Sequence, residues 1–316
     1  MSARRGADLI ARATWLPISV LLAGALTWGT VTLLPGDAAT RILGPNVTPE
    51  RLVELRSRLG LDRPVLLQFG DWLGGLLTGN LGNSALTGEP VTGLVFSRLG
   101  NSAILAVIAA VIALVCGIAI GAAIGRRRTG RATANGTLIG ASALPDFVIG
   151  SLAVGLLALS WRVLPALSLI SPGQSVLSRP QAMVIPVLAM AIPITIWIAR
   201  YTAAAVARHS DAAHVHTARL MGLSEPRILL RHLLPSALAP LVQLFGWMAA
   251  VLVGSTVIVE QLVEYPGIGS LLIEAVGNRD ITMTTAIVTV LAAVVAVTVF
   301  ACDILAAWID PRMTAA

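Results

Sequence analysis

His216-Thr217-Ala218-Arg219-Leu220-Met221-Gly222-Leu223-Ser224, continuing through Pro226, Arg231 and His232 to Leu234-Pro235, lies between the fourth and fifth of six long apolar runs. Locally it reads as a helix–turn–helix. The first helix can run up to Met221. Gly222 suits the left-handed position just past a helix end, where a residue with a Cβ is penalised. Ser224 stands at the N-cap of the next helix, with Glu225 and Pro226 in its first turn. There an acid meets the positive helix end and a proline sacrifices no hydrogen bond. A short basic knuckle hung between two membrane-length segments is shaped to be pushed by another protein.

The rest of the composition agrees with a chain that lives in lipid. Of 316 residues, 56% are hydrophobic and 12% charged, with a mean hydropathy of +0.84. Soluble domains carry about 25% charged residues. A transmembrane helix needs about 20 apolar residues at about 1.5 Å each. Six segments qualify, at 15–34, 99–124, 133–160, 181–203, 237–259 and 284–308. The expected fold class is therefore an all-α integral membrane protein with six transmembrane helices.

Arginine gives the orientation. Arg4, Arg5 and Arg12 precede the first run. Arg126, Arg127, Arg128 and Arg131 follow the second, and Arg200, Arg208, Arg219, Arg227 and Arg231 are assigned to the stretch between the fourth and fifth. Arg312 follows the sixth, whereas the short loops of the opposite side hold Arg162, Arg179 and Arg279. Cytoplasmic loops are enriched in basic residues, which puts both termini and the knuckle inside. The expected layout is a cytosolic N-terminus (1–14), a first span (15–34) and an extracytoplasmic loop (35–98). A five-helix core (99–308) then carries the cytosolic loop at about 204–236, and a cytosolic tail (309–316) ends the chain. The extracytoplasmic loop is expected to hold two helices. One starts at Thr48-Pro49-Glu50 and stops at Gly60. The other covers about 64–77, with an apolar stripe of Val65, Leu66, Phe69, Trp72, Leu73, Leu76 and Leu77.

All 22 Lys and Arg residues are arginine. With no lysine there is no P-loop lysine, no Schiff-base lysine and no kinase-type lysine. Any nucleotide-driven work would need another chain to bind the nucleotide by such a loop. The net charge of +6 and pI near 10.8 are read as cytosolic loops, not as a nucleic-acid surface. Cys116 and Cys302 each fall inside an apolar run with no ligand spacing and are read as small core or lipid-facing residues. A cleaved signal peptide is the lesser reading of the N-terminus, since the run after the arginines is of membrane length.

The spacing Ala218-x3-Gly222, then Leu234-Pro235, resembles the "EAA" coupling loop of ABC-importer permeases. The form here, with Thr217-Ala218-Arg219 and Arg231-His232, is similar to the B-type permease of the dipeptide/oligopeptide/nickel family. His216-Thr217-Ala218 replaces the acidic start, a departure common among peptide-type members. Other blocks extend the resemblance along the chain. They are Leu34-Pro35-Gly36-Asp37, Leu59-Gly60-Leu61-Asp62, Gly79-Asn80-Leu81-Gly82-Asn83-Ser84, Pro266-Gly267-Ile268-Gly269, Arg279-Asp280 and Asp310-Pro311-Arg312.

The resemblance implies a type I importer fold. It also implies a second, C-type permease, two ATP-binding cassette subunits that hold ATP and Mg, and an extracytoplasmic substrate-binding protein. On that reading Thr217, Ala218, Arg219, Gly222, Leu223, Leu234 and Pro235 contact or position the ATPase. Cargo is a dipeptide or oligopeptide by default, with nickel, heme or another small solute open. No catalytic residue, cofactor or metal ligand is assigned to this chain, which is read as a transporter subunit of the inner membrane and not as an enzyme.

Two acids are candidates for the pore or a gate. Asp146 follows Pro145 midway along the third run, where a charge costs about 2.5–3.5 kcal/mol and normally faces protein or a wet cavity. A local hydrogen bond is the alternative. Glu260, with Glu264, closes the fifth run on the outside, where it either gates, meets a binding protein or is capped by solvent. Asp303 is read as a helix–helix contact. His209, His214, His216 and His232 share one loop, and with Asp211 they imitate a zinc spacing. No Cys or paired carboxylate completes it, so a solvated surface is the reading. The rival function is an ion-gradient-driven secondary transporter using Asp146. A membrane enzyme or a structural membrane protein is the other rival; the lack of a catalytic cluster argues against the enzyme.

Overall fold

The computed structural model describes residues 2–33, 38–44, 48–127, 129–171, 174–210 and 212–309. Leu34-Pro35-Gly36-Asp37, Arg128, Asp211 and Asp310-Pro311-Arg312 lie outside the described residues. Among those described, the chain is helical, with one isolated bridge between Asn83 and Pro90. In order the helices are α1 (Ser2–Leu33), α2 (Ala38–Leu43), α3 (Pro49–Arg58), α4 (Val65–Thr78), α5 (Val91–Gly125), α6 (Arg131–Ala141) and α7 (Asp146–Ala153). Then come α8 (Pro180–His209), α9 (Ala213–Leu220), α10 (Glu225–Ile228), α11 (Leu234–Leu262), α12 (Ile268–Gly277) and α13 (Ile281–Ile309).

Among the described residues five helices are long and apolar enough to cross a membrane: α1 from Ala13, α5, α8, α11 from Pro240, and α13. The third expected span is not a single rod. α6 and α7 meet at 86° across residues 142–145, and the bent pair makes a sixth span if counted as one. Pro145 explains the break. It takes φ −65° and ψ 152°, outside the helical region, and has no N–H to offer a preceding carbonyl. α7 therefore starts afresh at Asp146 and ends in a π-helical stretch, Val154–Ser160. The fourth helix runs past its expected end at 203 to His209. Arg208, counted with the loop, therefore sits inside α8, as does Arg200, which already fell within 181–203. Pro186 and Pro193 are carried within the same helix.

Contacts among the described residues divide the chain into two compact units. One is built on 103–265, with the chain ends up to 11 and from 297. Here α8 is the central rod, packed by α6, α7 and α11. Its core includes Leu105, Met190, Ile194, Ile198 and Met248. α5 reaches α8 through Gly117, Gly121 and Gly125. A Cβ on Gly117 would stand 2.7 Å from Ile198, and one on Gly125 would stand 2.7 Å from the Ala203 carbonyl oxygen. Gly121 lies closer still to the Ala199 carbonyl. In lipid, where apolar side chains gain little by meeting each other, such small-residue seams let backbones pack.

The other unit comprises 12–102 and 266–296. α3 and α4 form close to where the sequence places them. α3 stops before Gly60 (φ +67°) and α4 before Gly79 (φ +77°). The apolar stripe of α4 is only half used. Phe69 meets Trp28 edge-on at 5.2 Å and Trp72 at 5.3 Å, while Val65, Leu66 and Leu77 stay exposed. Asp280, at the start of α13, is buried and accepts three hydrogen bonds. Ser84 Oγ donates to Oδ2 at 2.6 Å, Ala85 N–H donates to Oδ2 at 3.0 Å, and Met283 N–H donates to Oδ1 at 2.9 Å. The last bond is an N-cap, so one carboxylate both starts α13 and holds the 84–85 turn. Asn101 Nδ2 donates to the Pro266 carbonyl at 2.8 Å. Ile268 N–H donates to Ser102 Oγ at 2.8 Å, fixing the start of α12 on α5.

Candidate functional site

The hairpin from 210 to 235 is built by local rules. α9 ends at Leu220, and Gly222 adopts φ +75°. Gly222 N–H donates to the Arg219 carbonyl at 3.0 Å and Leu223 N–H to the Ala218 carbonyl at 3.2 Å. This pair of bonds satisfies carbonyls that a helix end leaves open, and it needs a left-handed residue between the two helices. Ser224 is extended (φ −67°, ψ 145°) and α10 begins after it with Glu225 and Pro226. The Ser224 hydroxyl makes no cap bond, so the cap expected from the sequence is present in backbone only.

A small apolar core closes the hairpin. Val206, Val215, Ala218, Ile228 and Leu233 are buried together, with Leu223, Leu229 and Leu234 packed against them. Val206 belongs to α8, so the hairpin is fastened to that helix. Arg219 Nε donates to Glu225 Oε1 at 2.8 Å, and Arg219 Nη1 donates to the Ser210 carbonyl at 3.2 Å. The ion pair is a third to a half exposed, where such pairs contribute about 0–1 kcal/mol. Each buried Val, Ile or Leu contributes about 1.5–3 kcal/mol. Packing therefore holds the shape, and the ion pair adjusts it.

The exit is continuous with the fifth span. α10 passes through a π-helical segment, Leu229–Leu233, directly into α11. Pro235 cannot donate a backbone bond, and a widened turn beside it absorbs the irregularity. The hairpin thus continues without interruption into a helical run that reaches Leu262.

The seven residues singled out by the sequence share this hairpin but play different parts. Ala218 is buried, and Leu223 and Leu234 are half-buried, building the fold. Gly222 forms the turn, and Arg219 braces it. Thr217 is exposed, yet its hydroxyl donates to the Ala213 carbonyl at 3.0 Å; Pro235 is exposed at the exit. The outward apolar surface belongs to residues the sequence reading did not select. Leu220 and Met221 are each 77% exposed and Leu230 is 65% exposed. Their signal was available. Two large apolar residues directly before a helix-stopping glycine have no inner face to turn to.

The rings of His214 and His232 lie 6.4 Å apart, and among the described residues no three His, Cys, Asp or Glu side chains are grouped to hold an ion.

The two acids move relative to expectation. Asp146 is the first residue of α7, at the break between α6 and α7. It is half-buried, and its Oδ1 accepts the Phe147 N–H at 2.8 Å. That is the local hydrogen bond weighed against the pore reading. Glu260 is 0% exposed, so neither capping by solvent nor direct docking of a partner fits it; an internal role is what its position permits. Its carbonyl accepts the Tyr265 N–H at 2.9 Å across Glu264, which holds φ +52°. Burial, and then the Glu260 carboxylate, push the Tyr265 phenol well above its ordinary value, so it stays protonated at any physiological pH. Asp303 is half-buried in α13.

Apolar helices of spanning length, a broken third span, and a packed hairpin joining the fourth and fifth define a multi-pass helical membrane permease. The sequence comparisons narrow this further. Residues 113–315 match the family described as "Binding-protein-dependent transport system inner membrane component", and residues 8–119 match its N-terminal companion. The chain belongs to that family, whose members are permease subunits of ABC transport systems. It is 30% identical over 295 residues to a Sinorhizobium fredii protein named "Probable peptide ABC transporter permease protein y4tP", covering 92% of this chain and 94% of that one. It is 28% identical over 313 residues to the oligopeptide transport system permease protein AppB of Bacillus subtilis, covering 97% and 99%.

Proposed function

We propose that this chain is one of two transmembrane subunits of an ATP-driven importer for peptides or similar small solutes. It forms half of the pore and is driven through the 210–235 hairpin. The observation that carries this reading is the hairpin's construction. It has its own core, anchors to α8 through Val206, continues into α11, and presents Leu220 and Met221 outward. A flexible loop would dissipate a push, whereas a packed one passes it to two spans. The peptide cargo is proposed from the names of the two relatives.

The chain has no lysine to hold nucleotide phosphates, so ATP and Mg are assigned to two partner ATPase subunits. Closure of those subunits moves the hairpin and tilts the fourth and fifth spans. The cavity between this chain and a C-type permease then opens outward to receive cargo from an extracytoplasmic binding protein. The arginine distribution supports both termini and the hairpin on the cytosolic side of the inner membrane, with 35–98 outside. Asp146 fits an ion site poorly, because its carboxylate is engaged at a helix start and belongs to no group of three His, Cys, Asp or Glu side chains among the described residues.

The test is assembly. The chain is co-expressed with its partner permease, ATPases and binding protein, purified, and reconstituted in vesicles. ATP-dependent peptide uptake is expected, together with a crosslink from Met221→Cys to an ATPase subunit. Labelling of that cysteine from the outer face of intact cells would overturn the reading.

A further inference from the structure

Resting on the importer reading, we propose that Arg200 recognises the free carboxylate of the cargo as it passes this subunit. α6, α8 and α11 enclose a cleft of about 350 Å³ lined by Asn135, Ile139, Trp197, Arg200, Tyr201 and Leu244. That volume lies within the range of about 300–1,000 Å³ typical of small-molecule sites, and its make-up is typical too: mostly apolar walls with a few polar groups. Arg200 lies about 30 Å along α8 from Pro180, at about 1.5 Å per residue. It is half-buried in a helix whose preceding turns are apolar.

The guanidinium is held but not neutralised. Nη1 donates to Ser142 Oγ at 3.2 Å, and Cζ lies 5.1 Å from the centre of the Trp197 ring. Trp197 is in turn met edge-on by Trp247 at 6.3 Å. Among the described residues no carboxylate pairs with Arg200. A guanidinium carries five N–H donors in a planar fork matched to two carboxylate oxygens. One neutral hydroxyl and one aromatic face leave that capacity largely unspent. A carboxylate entering the cleft would supply the missing acceptor. Ser142 belongs to the break between α6 and α7, so a ligand on Arg200 also meets the third span at its bend.

An arginine at this depth has one other ordinary use, anchoring to lipid phosphate by snorkelling. A lysine performs that equally well, whereas lysine does not replace arginine at a two-oxygen site.

The experiment uses the complete reconstituted complex and two probes, trialanine and its C-terminal amide. Arg200→Lys and Arg200→Gln are compared with the unmodified chain. Both variants are expected to lower uptake of the free acid about tenfold, while uptake of the amide stays within about twofold. If Arg200→Gln fails to reach the membrane, the charge-retaining Arg200→Lys carries the test. An acid-to-amide ratio unchanged in Arg200→Lys, as lipid anchoring or a purely structural role requires, would overturn the proposal while leaving the importer reading intact. An unmodified complex that imports neither probe would overturn both.

Discussion

The Leu223 N–H donates to the carbonyl of Ala218 across 3.2 Å, with Gly222 at φ +75° between them. This bond gives the Ala-x3-Gly spacing a physical meaning. The first residue must be small, because Ala218 is buried against Val206, Val215 and Ile228. The second must take a left-handed backbone so that the residue after it can reach back. Leu223 then turns its side chain into the same small core that Ala218 helps to form.

Replacement of Gly222 therefore acts through the backbone. A Cβ there meets nothing within 4 Å, so steric collision is not the cause of any loss. Holding a β-branched residue left-handed costs about 1–2 kcal/mol, and the turn is expected to open. Gly222→Val should leave a membrane-inserted protein whose ATPase partners co-purify poorly and whose ATP-coupled uptake is lost. Gly222→Asn should recover part of both, because asparagine tolerates this conformation. Wild-type uptake by the valine variant would show that the turn does not matter for coupling.

Leu220 and Met221 offer the complementary experiment. They are exposed on the hairpin and contribute little to its core. Leu220→Ser with Met221→Ser should leave the melting temperature within about 2 °C, since exposed substitutions change stability by about 0.5 kcal/mol or less. Retention of the ATPase subunits on purification should nevertheless fall about tenfold or more, as expected when buried apolar anchors are removed from an interface. Equal retention would place the contact elsewhere on the hairpin.

What the sequence disclosed and what it hid follow from the range of the forces involved. Gly222 and Gly60 mark helix ends correctly because backbone conformation is decided within a few residues. The apolar runs are legible for the same reason, since the solvent acts on each segment separately. The break at residues 142–145 was obscured, because hydropathy continues across it while Pro145 alone redirects the backbone. Arg208 was counted with the loop on charge, although α8 continues through it to His209. Glu260 looked like an interfacial residue, and only the packing of distant segments buries it. Two of the three partners of Asp280, Ser84 and Ala85, lie almost two hundred positions away in the chain, beyond any local pattern.

The seam between α5 and α8 makes a sharper stability prediction. A side chain on Gly121 would press on the Ala199 carbonyl and on Thr202, and backbone cannot yield as a flexible side chain can. Gly121→Val should destabilise the purified protein by about 1–3 kcal/mol, read as a lower melting temperature in detergent. Gly140→Val is the control, because a Cβ at that position meets nothing within 4 Å and it also sits in an apolar helix. Similar losses in both variants would attribute the effect to helix propensity and not to the close crossing.

Asp280 and Ser84 test whether one buried carboxylate joins two segments far apart in sequence. All three groups facing Asp280 are donors: Ser84 Oγ, Ala85 N–H and Met283 N–H. An asparagine must direct its own NH2 at one of them, leaving a buried donor without an acceptor at a cost of about 1–3 kcal/mol. Asp280→Asn should therefore lower the melting temperature and speed proteolytic cleavage between residues 84 and 90. Ser84→Ala alone removes one bond to the carboxylate and frees the Leu86 and Thr87 N–H groups that the hydroxyl also accepts. If the two residues act as a unit, Ser84→Ala should cost less in the Asp280→Asn background than alone, by at least about 0.5 kcal/mol. Strict additivity would mean that Asp280 serves only as the cap of α13, and that the 84–85 turn is held by its own backbone.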